Sequence, residues 1–466
     1  MSAVNRLSRL ELAERLDFIA FMEYCSYVSG NAQSLGLDDF DPRYSIADVR
    51  RNLGNEYLAS DFVEYYAGLC SKNPALPDLR EMSLHVHDLS GAISDWAASR
   101  WQAVSGPSPS SYEEDADRMV ALSTWFNLAG FFSSDIFGKQ ASDLYSSTSM
   151  ANTVVRLADV EGKSVLDFAC GNGIFLSTAL ANGAASICGR DINAQAVMRA
   201  KILCFFANAG ASRDVAVGNL LACSSTTMSA QRVLVAPWFG ARIRELDIQE
   251  EDYYADVLGQ LVGEGSVGAL DMEDFCVAKA FASLAEDGIA VLHVSASFLF
   301  HQQKARRELR RALVQKGYLR TVIELPGGCV PGTRVKSALL IIGKQPTEDG
   351  VLIVDLDSKK LADKGYVSKG RGSCEITETG IDWLAKTVEQ RDEIALVSTV
   401  ADREQILESG SNLCYSTYGD VFDYATILEE TRSTEDIMSD ICAAQASADS
   451  LGEQIADILN SIEKKG

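Results

Sequence analysis

Residues 165–176 read VLDFACGNGIFL, and the fold turns on how this stretch is read. A short apolar strand ends in a carboxylate, Asp167. A turn follows through Ala169, Cys170, Gly171, Asn172 and Gly173, and an apolar helix begins behind it. Glycines let a backbone approach a ligand closely, and a new helix N-terminus offers free N–H groups. About 24 residues on, SICGRDIN (186–193) ends a second strand in Asp191 and Ile192, where an acidic side chain can accept hydrogen bonds from ribose hydroxyls. GNL (218–220), with Asn219 and Leu220, follows the third strand position, and VLVAPWF (233–239) ends the fourth. GIAVLHVS, RTVIELP and SALLIIGK continue the series, with amphipathic stretches such as NAQAVMRAKILCFFANA between strands. Alternation of this kind predicts a mostly parallel sheet with helices on both faces.

The chain has 466 residues, 47% hydrophobic and 23% charged, enough for two to three domains. Four segments are expected: a helical domain over 1–140, the α/β core over 141–345, an extension of it over 346–423, and a coiled-coil-type helix over 424–466. Helical spacing in LELAERLDFIAFMEYCSYV, DFVEYYAGLC and RMVALSTWFNLAGFF supports the first, with SGPSPSSYEED (105–115) as an exposed loop. In the last, Ile437, Ile441, Ala444, Ala448, Leu451, Ile455, Ile458 and Ile462 form a heptad seam, and Ser433 with Asp436 reads as a capping box. Such a narrow seam needs another helix, either the chain's own N-terminal helices or a partner's.

Charge and cysteine usage exclude several classes. Eleven cysteines without CxxC pairs and four histidines without paired spacing give no metal site, and His85 with His87 read as helix-surface residues. No run of about 18 apolar residues is present, and the charged amphipathic start is unlike a signal peptide, so a cytoplasmic protein is expected. A net charge of −23 argues against autonomous binding to nucleic acid but leaves room for a local patch or a basic partner. Arg307 and Arg311, with Lys304, Arg306, Arg310 and Lys316 in KARRELRRALVQK (304–316), make one candidate patch, and Arg242 with Arg244 another; a solvated helix face and pairing with Glu245 and Asp247 are the competing readings.

The form DFACGNG resembles the S-adenosylmethionine site of class I methyltransferases more than a dinucleotide fingerprint. The order of motifs is similar to that of the N-6 adenine DNA methylases, in particular the modification subunit of type I restriction-modification systems. VVRLADVEGKSVLDFACGNGIFL carries this likeness, as do MEDFCVAKAFASLAEDGIAVLHVSASFLFHQQKARRELRRAL, TVIELPGGCVPGTRVKSALLIIGK, TGIDWLAKTVEQRDEIALVSTVADREQIL and NLCYSTY. The resemblance implies a class I (Rossmann-like) core flanked by a helical N-terminal domain and a C-terminal coiled-coil helix that joins a specificity-type subunit. It implies S-adenosyl-L-methionine as cofactor, contacted at Asp167, Ala169, Cys170, Gly171, Gly173, Asp191, Ile192, Asn219 and Leu220, and adenine in DNA as acceptor.

Departures from the family pattern fall on the acceptor side. Where the family carries Asn or Asp, then Pro-Pro, then an aromatic, this chain has Ala236, Pro237, Trp238 and Phe239. Ala236 offers no acceptor to an adenine amino group, Trp238 replaces the second Pro, and Phe239 remains as the stacking ring. Losing a buried hydrogen bond costs about 1–3 kcal/mol, and misorientation can cost roughly two orders of magnitude in rate. Asn219 stands where an acidic residue is usual, and YSSTSMANT (145–153) lacks the family's Pro. Three functions follow from this: a DNA adenine-N6 methyltransferase subunit in a complex, a cofactor-binding scaffold or sensor in a defence-type assembly, or a methyltransferase for another acceptor.

Overall fold

Alternate residues of one strand after another enter two different cores, which is how a sheet covered on both faces is built. The computed structural model describes residues 12–51, 56–73, 76–77, 146–208, 211–219, 228–237, 239–241, 271–330, 333–370 and 373–420, with single residues at 92, 128, 261, 438 and 445. The heptad positions, the 105–115 loop, His85, His87, Leu220, Trp238, Arg242 and Arg244 lie outside the described residues.

The strands are β1 (Ser164–Asp167), β2 (Ser186–Asp191), β3 (Ser212–Val217), β4 (Ala230–Val235), β5 (Leu284–Ser295), β6 (Leu319–Leu325), β7 (Ser337–Gly343), β8 (Val351–Asp355), β9 (Val367–Lys369), β10 (Cys374–Ile376) and β11 (Ser398–Ala401). Nine of them form one sheet in the order β11-β8-β6-β7-β5-β4-β1-β2-β3, and β9 with β10 forms a separate ribbon. From β3 through β5 every pairing is parallel, whereas β7 runs antiparallel to both β5 and β6. The sheet continues into residues 346–423, since β8 pairs with β6 and β11 with β8. Strand order reverses between β1 and β4: the chain leaves β1 toward β2 and β3, then returns on the other side. A crevice at the carboxyl ends of these strands is where an open α/β sheet takes a ligand.

Leu339 and Ile341 of β7 enter one core, Leu340 and Ile342 the other. Val165 and Leu166 divide likewise in β1, and Leu352 and Ile353 in β8. Each such side chain stabilises by about 1.5–3 kcal/mol on burial, so a strand slipped by one residue would exchange both sets at once. The helices Thr148–Ala158, Ile174–Ala181 and Ala194–Ala207 supply the first core, and Met272–Ala282 and Lys304–Gln315 the second.

Among the described residues the N-terminal helices have no core apart from the sheet's. Leu12–Gly30 lies on Ala194–Ala207, with Tyr24 edge-on to Phe205 at 5.6 Å and Tyr27 edge-on to Phe206 at 5.3 Å. Asp17 and Arg199 pair at 2.5 Å between the same two helices. The chain divides into two compact units, Met1–Gly419 and Asp420–Gly466. No helix among the described residues is long and apolar enough to cross a membrane.

Candidate functional site

Parallel strands deliver their carboxyl ends to one edge, so β1 and β2 bring Asp167 and Asp191 together although 23 residues lie between them. Asp167 is 2% exposed, and its Oδ1 accepts from Ala169 N at 3.0 Å. Burial pushes its carboxyl up to about 8, reinforced by the Asp191 charge and opposed by that hydrogen bond. A carboxylate held this way favours a cationic ligand, whose charge would offset the lost hydration.

The turn after β1 is fastened to the end of β2. Gly171 N donates to Asp191 Oδ2 at 2.8 Å, Asn193 N donates to Asp191 Oδ1 at 2.9 Å, and Cys170 N donates to Arg190 O at 3.0 Å. Each Asp191 oxygen retains a lone pair for a further donor. Gly171 and Gly173 have φ of +49° and +76°. At Gly173 a Cβ would lie 2.6 Å from Ala200 Cβ and 2.9 Å from Ala200 Cα, so this glycine sets the approach of Ile174–Ala181 to Ala194–Ala207. Gly173→Ala is expected to cost about 3 kcal/mol from strain and clash together and to lose cofactor binding. A urea midpoint and a calorimetric titration check both, and wild-type values for either contradict the account.

Ile192, immediately beyond β2, is 74% exposed, and Asn219 is exposed beyond β3. The edge thus brings together Asp167, Ala169, Cys170, Gly171, Gly173, Asp191, Ile192 and Asn219. Sequence reasoning missed Arg199. It is 4% exposed, donates to Asn172 Oδ1 at 3.3 Å, and so ties the glycine turn to Asp17 of the first helix. Its signal was an arginine inside the run AVMRAKILCFF, which carries one other charge, Lys201.

At the end of the neighbouring strand, β4 leads to half-buried Ala236, buried Pro237 and half-buried Phe239. Phe239 packs against His293 of β5, with ring centroids 5.3 Å apart and planes at 82°. His293 is 4% exposed, its Nε2 is 2.9 Å from Ser337 Oγ, and burial pulls its pKa down to about 4, so the ring is neutral. Below it, Glu273 accepts from Ser295 N at 2.6 Å and from Ser295 Oγ at 3.0 Å. In the stretch YSSTSMANT no Pro is needed to begin the helix, because Ser147 Oγ caps it by accepting from Met150 N at 3.1 Å.

The basic helix is not one patch. Arg306 is 3% exposed and Arg310 wholly buried, while Arg307 and Arg311 face outward with Lys304 and Lys316. Arg306 Nε donates to Asp274 Oδ1 at 2.6 Å, and Arg310 donates to the carbonyls of Ser411, Phe298 and His301 at 2.7, 2.8 and 3.0 Å. The guanidinium fork matches these fixed acceptors, which removes two of the six charges from any surface role.

The family model for N-6 DNA Methylase matches residues 131–425, more than half of the chain. The fold resembles that of a type I restriction-modification system methyltransferase subunit from Streptococcus thermophilus, with TM-score 0.71 and 16% identity over 90% of this chain and 97% of that one. It also resembles a chain from a structure of the type I R-M system, with TM-score 0.65 and 14% identity over 98% and 97%. Among curated proteins, the ribosomal protein L11 methyltransferase of Aliivibrio fischeri (strain MJ11) is 49% identical over 43 residues, 9% of this chain and 15% of that protein. That of Enterobacter sp. (strain 638) is 28% identical over 175 residues, 37% and 50% respectively. The chain therefore spans half or less of these curated relatives. With a family model matched across the strand edge that carries the glycine turn, Asp191 and the Ala236–Phe239 segment, this chain belongs to the N-6 DNA methylase family.

Proposed function

We propose that the chain is an S-adenosylmethionine-dependent DNA adenine-N6 methyltransferase subunit, working in the cytoplasm inside a complex that supplies sequence recognition. The observation that carries this reading is the meeting, at the strand-order reversal, of a glycine turn with two carboxylates beside a Pro-x-Phe segment. The residues fit the cofactor. Gly171 and Gly173 admit close approach, Asp191 has lone pairs left for ribose hydroxyls, Ile192 offers an exposed apolar surface for a purine, and Asp167 favours positive charge. When bound, the cofactor supplies a methyl group activated by an adjoining sulfonium.

The chain's own residues then orient and shield. The Pro237 carbonyl accepts from the amino group of an extruded adenine, and Phe239 stacks on its ring. Arg307 and Arg311 supply phosphate contacts on the outward face. The heptad run within 433–462 docks on a helical partner of the specificity type, residues 1–140 serving as the helical segment and 424–466 as the coiled-coil-type helix.

Ala236 favours a second reading, a scaffold that holds cofactor without transferring its methyl group. Calorimetry on the full chain is expected to give one saturable cofactor site, and silence there removes both readings. A tritiated-methyl assay on sheared unmethylated genomic DNA, using the complex copurified from its native host, separates them. Label in adenine supports the transferase. Bound cofactor with no transfer, together with transfer gained by Ala236→Asn, supports the scaffold.

A further inference from the structure

The side chain at 236 ends at its β-carbon, and the strand beside it carries a buried imidazole. β4 and β5 run parallel with Val235 opposite Leu292, and both of those side chains enter the second core. One residue further along each strand, Ala236 and His293 therefore project together from the opposite face. Ala236 packs against the first core. His293 lies between Leu292 and Val294, both fully buried, where a polar ring is retained only with partners.

Two contacts hold that ring. Nε2 meets Ser337 Oγ, and the ring stands edge-on to Phe239, three residues beyond Ala236. No hydrogen bond from a described residue reaches Nδ1. The imidazole thus touches the ring assigned to stacking, and it borders the position that has lost its hydrogen-bonding side chain.

We infer that His293 Nδ1 is the hydrogen-bond acceptor for the substrate amino group, standing in for the side chain missing at 236. The inference rests on the transferase reading above. With Nε2–H donated to Ser337 Oγ, Nδ1 keeps an in-plane lone pair. One amino N–H donates to Nδ1 and the other to the Pro237 carbonyl, which turns the nitrogen lone pair toward the methyl carbon. The N–C bond forms, the C–S bond breaks with its electron pair left on sulfur, and the surplus proton on nitrogen passes to Nδ1 and on to water. Burial keeps the imidazole near 4, so its lone pair is free at neutral pH, yet a methylated amino cation is acidic enough to protonate it. A ring that merely supported Phe239 by packing would be replaceable by another buried side chain of similar bulk.

The copurified complex is assayed with tritiated methyl donor on sheared unmethylated genomic DNA. His293→Val is expected to lower transfer at least about 100-fold, with cofactor affinity within about twofold of wild type. Adding Ala236→Asn to that variant is expected to restore transfer to within about tenfold of wild type. His293→Asn, which keeps an acceptor close to the Nδ1 position, is expected to retain at least about a tenth of the rate. A wild-type rate in His293→Val overturns the assignment, as does failure of Ala236→Asn to restore transfer when melting temperature and cofactor affinity are unchanged. A wild type that binds cofactor and transfers nothing overturns the transferase reading itself and takes the assignment with it.

Discussion

Replacing Asp167 by asparagine is expected to raise the stability of the ligand-free chain while weakening its hold on the cofactor. Asp167 is 2% exposed, and burial pushes its carboxyl up to about 8. Its folded pKa is above the unfolded value near 3.9. Its contribution is therefore fully present below pH ~4 and is lost as pH rises through 8, because the folded chain must give up hydration for a charge it cannot pair. Asparagine has nearly the same shape, can still accept from Ala169 N, and does not titrate. The variant should thus gain on the wild type from about pH 4 upward, by as much as about 4 kcal/mol at pH 7, and level off above pH 8. Urea midpoints between pH 5 and 9 measure this, and equal midpoints at pH 8 would refute it. On the cofactor contact proposed for Asp167, affinity should fall about 10- to 100-fold. A site whose removal stabilises the empty protein is a site selected for its ligand.

The second large effect is expected at Arg306. Arg306→Met removes the only cation that the described residues place among Asp271, Glu273 and Asp274, at 3.4, 3.4 and 2.6 Å. Asp274 is wholly buried and Glu273 is 2% exposed. Breaking a buried ion network by deleting one partner costs about 3–5 kcal/mol, since the remaining charges stay desolvated. Burial already pushes Glu273 and Asp274 up, and Arg306 opposes it. Without the guanidinium both carboxyls would protonate at higher pH, so the loss should shrink as pH falls from 7.5 to 5. A loss under about 1 kcal/mol at pH 7.5 would mean the network contributes little. The effect should extend to the site, because Glu273 holds Ser295 two residues beyond His293.

The glycine-turn side of the candidate site was legible because its determinants are local. Asp167, Gly171 and Gly173 lie within seven residues, and a carboxylate, a glycine turn and a new helix are joined by the chain itself. Asp191 followed by periodicity alone, since parallel strands bring their carboxyl ends to one edge whatever their order. Alternation of strand and amphipathic helix likewise required a sheet covered on both faces.

Pairings across the chain were decided elsewhere. Arg306 looked like one more charge on a solvated helix until Asp274, 32 residues away, was placed against it, and Arg310 until the Ser411 carbonyl, 101 residues away, met it. The Asp17–Arg199 pair spans 182 residues, and His293 finds Ser337 across 44. Insertion of antiparallel β7 between β5 and β6 is of the same kind. Secondary-structure period and turn chemistry depend on neighbours along the backbone, so residue order alone determines them. The partner of a buried charge depends on which elements become adjacent, and loop closure discriminates only weakly among loops of different length. Packing of the whole sheet selects those neighbours, and with them which arginines are surface and which are structure.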